Sequence, residues 1–170
     1  MKLRPAGTHD IAVLKKWDTK KHVIEASGDD DPFDWENEIP RSVDWREILI
    51  AEIDDRPIGV IVILDPELEE THYWGDVEPN LRAIDIWIGE ETDLNRGYGT
   101  QMMNLALEIC FHNPQVKGVI VDPLVGNTGA IRFYEHIGFK RIGRRSFESD
   151  DCFVYRLERR DWLKQKIRMV

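Results

Sequence analysis

The run Asp93-Leu94-Asn95-Arg96-Gly97-Tyr98-Gly99-Thr100 has the residue types to hold an anion. Asn95 tolerates a left-handed backbone, and Gly97 and Gly99 carry no Cβ to keep a ligand at a distance. A helix starting near Gly97 would aim the successive amides of Arg96 to Thr100 at one spot, with the helix dipole behind them. Arg96 would add a charge-assisted contact. The chemistry implied is phosphate binding. The run is not a P-loop, because no Gly-Lys-Ser/Thr follows. Nor is it the dinucleotide fingerprint, whose third glycine is replaced by Met102.

A second feature is charge. Glu25 to Ile39 holds seven acids and Asp65 to Pro79 holds six, with no Lys or Arg in either, within a chain of net charge −9. Phe33, Trp35, Tyr73 and Trp74 interleave with these acids. Aromatic faces beside carboxylates suit a polycation with an apolar skeleton, and the plainer alternative is two solvated loops. The acidic balance argues against nucleic acid as a partner. His9, His22, His72, His112 and His136 show no metal-ligand spacing, so no metal is expected. No serine stands in a nucleophile-elbow context. Cys110 and Cys152 lie in apolar runs and read as reduced core residues.

These features need a scaffold. The chain has 170 residues, 42% hydrophobic and 32% charged, which suits one domain over 1–170 with a single sizeable core. No apolar run approaches the ~20 residues of a membrane helix, and the first residues lack the apolar stretch of an export signal. A cytoplasmic protein, monomeric or homodimeric, is expected. Strands are expected at Lys2 to Pro5, Trp45 to Glu52, Ile58 to Leu64, Ala83 to Gly89, Val116 to Asp122, Phe139 to Gly143 and Cys152 to Glu158. Asp54-Asp55-Arg56-Pro57 reads as a hairpin turn. In Ala83 to Gly89, Ile84, Ile86 and Ile88 share one face while Asp85 and Trp87 share the other. Helical spacing marks Ile11 to Trp17, His22 to Ala26, Gly97 to His112 and Asn127 to Ile137, the last stopped by Gly138. Asp161 to Val170 fits a short basic helix. The pattern is an α/β layered domain with a mixed, mostly antiparallel central sheet of about six to seven strands flanked by helices.

The segment Asp122-Pro123, Asn127 and Ala130-Ile131-Arg132-Phe133-Tyr134-Glu135-His136-Ile137-Gly138-Phe139 resembles the final motif of the GCN5-related N-acetyltransferases. In that family an Asn and an Ala open a helix that ends Tyr-x-x-x-Gly-Phe. Gly97 and Gly99 match the two small residues of the family's acetyl-coenzyme A pyrophosphate motif, although Leu94 stands where the motif begins with Gln or Arg. Over Leu3 to Arg159 the chain is similar to the aminoglycoside 6′-N-acetyltransferases. The similarity rests on Ala83-Ile84-Asp85, Arg96-Gly97-Tyr98-Gly99-Thr100, Asn113-Pro114-Gln115-Val116, Val121-Asp122-Pro123 and Ala130 to Tyr134. Trp17 followed by His22-Val23-Ile24-Glu25 is similar to the same enzymes, and a tryptophan followed by His-Val also occurs in the related siderophore acetyltransferases that acylate hydroxylamines.

The resemblance implies direct acetyl transfer from acetyl-coenzyme A to an amine of a cationic small molecule in a ternary complex, with an aminoglycoside 6′-amine foremost. Siderophore hydroxylamines, polyamines and a non-catalytic acyl-coenzyme A binding module are the alternatives. It implies Asp122 as first choice for the proton acceptor, with Asp85 beside it, and Tyr134 as proton donor to the departing thiolate. A backbone N–H at Ile88 or Gly89 would meet the thioester carbonyl. Asn95, Arg96, Gly97, Tyr98, Gly99, Thr100, Asn127 and Ala130 would hold the cofactor, Asn127 through the pantetheine arm. Trp74, Glu78, Asp85, Trp87 and Asp122 would line the acceptor site.

Overall fold

Alternating apolar residues in seven short segments combine into one sheet, in a computed structural model that describes residues 1–28, 32–147 and 149–168. The strands are β1 (Lys2–Pro5), β2 (Arg46–Ile53), β3 (Arg56–Leu64), β4 (Leu81–Ile88), β5 (Gly118–Val121), β6 (Lys140–Phe147) and β7 (Asp150–Glu158). Their order across the sheet is β1-β2-β3-β4-β5-β7-β6. The β4–β5 pair is parallel and every other pair is antiparallel. The helices are α1 (Ile11–Asp18), α2 (Lys21–Ser27), α3 (Trp35–Glu38), α4 (Tyr98–His112), α5 (Thr128–Ile137) and α6 (Arg159–Arg168). The mixed, mostly antiparallel α/β architecture read from the sequence is the observed one.

Local chemistry moves several boundaries. Asp54 and Asp55 both adopt left-handed φ, 50° and 60°, and together form the whole hairpin turn. Arg56 and Pro57 already belong to β3, opposite Ile53 and Glu52. Such a two-residue turn matches the twist of the strands it joins. β5 is shorter than the apolar run predicts, because the Val116 N–H is held in a turn by Asn113 O and the Lys117 N–H by Asn80 O. β6 and β7 extend further than expected and pair through Phe147 and Asp150. The basic tail helix starts earlier, at Arg159.

The two sheet faces are covered differently. On one, α4 buries Met102, Met103, Ala106, Leu107, Cys110 and Phe111 over Ile61, Ile63, Ile84, Val119 and Val121. The other face carries two smaller clusters. Leu14, Trp17 and Trp35 from α1 and α3 pack on Ile50 and Val60. Trp74, from the loop between β3 and β4, packs with Phe147, Ala83, Ile120 and Val154. Asp85 lies on this face and is exposed although β4 is the middle strand of the sheet. Its exposure marks a cleft on this face.

One buried ion cluster ties β1 to the start of the helices. Arg4 donates to both oxygens of Asp10 at 2.7 Å and to Glu52 Oε1 at 2.7 Å. Asp10 is 2% exposed and also accepts the Gly7 N–H at 2.8 Å. Burial alone would raise the Asp10 carboxyl, but the Arg4 guanidinium and the Gly7 amide outweigh it and hold it below its ordinary 3.8. A depressed carboxylate stabilises the fold above its unfolded value, and that contribution is lost as the pH falls through the folded one. Asp10→Asn is therefore expected to lower stability by about 2 kcal/mol at pH 7, a Tm drop of about 5 °C. Thermal melts should show the gap between the two proteins closing below about pH 3.5.

Candidate active site

The chain after β5 decides where the site forms. β4 and β5 pair as Leu81–Gly118, Arg82–Val119 and Ala83–Ile120, and there the pairing ends. Beyond Val121 the chain stays with β7, through Phe153 N–H to Pro123 O, Val125 N–H to Asp151 O and a bridge between Leu124 and Cys152. β4 stays with β3 up to Ile88 opposite Gly59. The two strands therefore fork. Asp85 and Asp122 each stand two residues past the last pair, in the pleat phase of Ala83 and Ile120. Both carboxylates thus belong to the cleft side of the fork.

Hydrogen-bond phase says which backbone groups enter the fork. The Gly89 N–H donates to Ile58 O at 2.9 Å. Groups alternate along an antiparallel pair, so Asp85, Trp87 and Gly89 direct their N–H and C=O groups to β3. Ile84, Ile86 and Ile88 direct theirs into the fork. Gly89 is therefore corrected as a donor, and Ile88 alone of the two fits. Gly89 has a packing role instead, since a Cβ there would lie 2.0 Å from the Trp17 ring. The Ile88 carbonyl meets His22 Nε2 at 2.9 Å, a partner that sequence spacing does not reveal. Trp87, on the Asp85 face, lies 5.8 Å from Trp35 between ring centroids.

Tyr134 reaches the fork from α5 and is 8% exposed. Burial pushes its hydroxyl well above the usual tyrosine range, and the Asp85 and Asp122 carboxylates raise it further. Their joint influence brings the three expected catalytic groups into one electrostatic neighbourhood. Asp122 also accepts the Tyr73 hydroxyl at 2.6 Å. The two residues are far apart in sequence, and only the aromatic character of the acidic segment pointed toward Tyr73.

The anion loop is formed as its residues imply. Asn95 and Gly97 have φ of 58° and 76°. Gly97 is the N-cap of α4 and makes no side-chain cap, so the first-turn amides of Tyr98, Gly99 and Thr100 lack an intrahelical acceptor. Space around Gly97 is open, with nothing within 4 Å of where a Cβ would stand. This donor set fits a phosphate. Arg56 anchors the preceding turn through Asp93, with Nη1–Oδ2 at 2.6 Å and Nη2–Oδ1 at 3.0 Å. That guanidinium holds the buried Asp93 carboxyl below its ordinary value. Asn127 is the N-cap of α5, and its Oδ1 accepts the Ala130 N–H at 3.0 Å. The pair's capping bond uses that oxygen and the Ala130 amide, which leaves the Asn127 side-chain NH2 to reach a cofactor.

Two expected acceptor residues are engaged with other groups. Trp74 is 4% exposed and serves as a wall of the Phe147 cluster. Glu78 pairs with Arg156 at 3.1 Å and Lys117 at 3.9 Å. With Trp74 it lines a cavity of about 260 Å³ whose walls include neither Asp85 nor Asp122. The expected acidic rim is also largely neutralised. Glu36 pairs with Lys15, Glu38 with Arg46, Asp65 with Arg82 and Glu70 with Arg41. Glu69 is buried and accepts from the Thr71 and Tyr73 amides of its own loop. Asp29, Asp30 and Asp31 lie outside the described residues. Cys110 and Cys152 are both buried, and burial pushes the Cys110 thiol up to about 12. Among the described residues no group of His, Cys, Asp or Glu could hold a metal ion, and no helix is long and apolar enough to cross a membrane.

Gly97→Val would place a branched side chain at a left-handed position inside the cradle. It should weaken coenzyme A binding at least tenfold by calorimetry, while the melting temperature falls by a few degrees, about the strain of one such residue.

A family model described as an acetyltransferase (GNAT) domain matches residues 7–147. The chain is 30% identical over 149 residues to the aminoglycoside N(6′)-acetyltransferase type 1 of Klebsiella pneumoniae, covering 83% of this chain and 74% of that protein. It is 24% identical over 169 residues to a lysine N-acyltransferase of Mycobacterium tuberculosis, covering 92% of this chain and 76% of that one. Among solved structures, aminoglycoside acetyltransferase AAC(6′)-Ib in complex with coenzyme A and kanamycin matches with a TM-score of 0.87 at 25% identity. That match covers 97% of this chain and 98% of the other. Sheet order, anion loop and sequence agree, and this chain belongs to the GNAT family of acetyltransferases.

Proposed function

We propose that this protein transfers the acetyl group of acetyl-coenzyme A to an amino group of a cationic small molecule, an aminoglycoside 6′-amine in the first instance. The observation that carries the reading is the fork, where Asp85 and Asp122 stand past the last β4–β5 pair within the field of the buried Tyr134 phenol. Similarity to the aminoglycoside N(6′)-acetyltransferase supports the acceptor class.

The two substrates approach from opposite faces of the sheet. The α4 amides at Tyr98, Gly99 and Thr100, with Arg96 beside them, would hold the pyrophosphate of acetyl-coenzyme A. Bound there, that molecule supplies an activated acetyl thioester. The Ile88 N–H donates to the thioester oxygen as it gains negative charge. On the cleft side, Asp85 and Asp122 attract the acceptor ammonium, and Trp87 offers it an aromatic face. An ammonium has no lone pair, so Asp122 accepts its proton before attack. Tyr134 then gives its proton to the leaving thiolate as the C–S bond breaks, and the second proton released by the nitrogen on forming the amide restores the phenol. Burial and two carboxylate neighbours keep that phenol protonated well past neutral pH, so it remains a donor across the working range. The burial of Cys110 and Cys152 in apolar surroundings suits a reducing, cytoplasmic setting.

The test is thiol release from acetyl-coenzyme A with kanamycin, spermidine and N-hydroxylysine as acceptors. Turnover with kanamycin, reduced about 100-fold or more in kcat/KM by Asp122→Asn with coenzyme A affinity unchanged, is the expected result. Turnover only with spermidine or N-hydroxylysine overturns the acceptor class. Coenzyme A binding without any turnover favours a binding module. Tyr134→Phe should lower kcat about 10- to 100-fold with little effect on KM, because its proton is given only as the thiolate departs. Full activity in Tyr134→Phe would assign the donor elsewhere.

A further inference from the structure

The loop between β3 and β4 delivers a phenol to the fork and holds it there from several sides. Tyr73 Oη donates to Asp122 Oδ2 at 2.6 Å. Its ring lies flat on Phe147, with centroids 4.4 Å apart and planes within 9° of parallel. Trp74 meets it edge-on at 5.7 Å. Its backbone N–H donates to Glu69 Oε2 at 3.1 Å, and Glu69 is the buried carboxylate around which the loop turns. His72, immediately before it, turns the loop with a left-handed φ of 53°. The aromatic cluster thus fixes the position of one hydroxyl against one carboxylate.

We propose that Tyr73 is a positioning residue for acetyl transfer, one that fixes the rotation of the Asp122 carboxylate beside the acceptor amine and favours its charged, proton-accepting form. The proposal rests on Asp122 being the general base. A hydroxyl that donates to a carboxylate stabilises the ionised form more than the protonated one. Asp85 acts in the opposite sense, because two carboxylates at one site disfavour joint ionisation. Tyr134 faces the same pair from α5. Tyr73 offsets the Asp85 repulsion and keeps Asp122 able to accept a proton near neutral pH, before the acceptor arrives. A phenylalanine would stack on Phe147 equally well, so the hydroxyl is the part that acts on Asp122.

Tyr73→Phe removes only that hydroxyl. In ¹³C-labelled protein without ligand, the titration midpoint of the Asp122 carboxyl should rise by about half to one pH unit in Tyr73→Phe. In turnover with kanamycin, kcat should fall about 5- to 20-fold, and the acidic limb of kcat/KM should move to higher pH by the same interval, with coenzyme A affinity unchanged. Placed on Asp122→Asn, Tyr73→Phe should have no further effect, since it acts only through that carboxylate. An unmoved carboxyl midpoint overturns the proposal whatever the acceptor, because that titration needs no substrate. If Asp122→Asn abolishes turnover while the Tyr73→Phe profile matches the wild type, the Tyr73 proposal alone fails. If Asp122→Asn turns over normally, the base assignment fails and the proposal falls with it.

Discussion

β4 has a strand on each side only as far as Ala83, and beyond that point the neighbour on one side leaves with β7. A backbone edge inside a sheet cannot be left without partners at little cost, because each buried N–H and C=O requires one. His22 supplies a donor to the Ile88 carbonyl. Past the Ala83–Ile120 pair, the backbone groups of Ile86 and the Ile88 N–H are the ones directed into the fork. The same divergence opens a passage between the faces, with α4 and α5 on one side and the cleft at Asp85 on the other. In the proposed reaction, the anion loop, the carboxylates and the phenol would act together through that opening.

Charge in the molecule follows a division of labour. Among the described residues, most acids of the two acidic segments are held by local bases or by the turns they stabilise. Surface pairs of this kind are individually weak. What remains at the fork is a small set of carboxylates, on separate strands, beside a phenol that stays protonated. Attraction for a cation thus comes from position more than from the total of negative charge.

Much of this was legible in the sequence where the controlling interaction is local. The left-handed Asn95, the glycine cap at Gly97, the polar stripe of α4 and the alternation of Asp85 with the β4 isoleucines all follow from neighbours a few residues apart. The family resemblance then supplied the roles of Asp85, Asp122 and Tyr134. What the sequence left hidden depends on contacts between distant segments. Ile88 and Gly89 are distinguishable as donors only through the ladder phase set by Ile58. Trp74 reads as an exposed aromatic among acids, and only packing on Phe147 of β6 buries it. Glu78 reads as free charge until Arg156 of β7 is seen beside it. The Tyr73–Asp122 hydrogen bond joins a loop to a strand end that no local pattern connects.

The unequal covering of the two faces has a consequence for divergence. The face that carries α4 is one continuous core, where a change at any residue is felt by many neighbours. The cleft face is divided into a Trp17–Trp35 cluster and a Trp74–Phe147 cluster, each small and separately anchored. A substitution that reshapes one wall therefore leaves the other wall in place. On such a scaffold the two walls of the cleft can diverge separately, while the continuous core beneath α4 resists change.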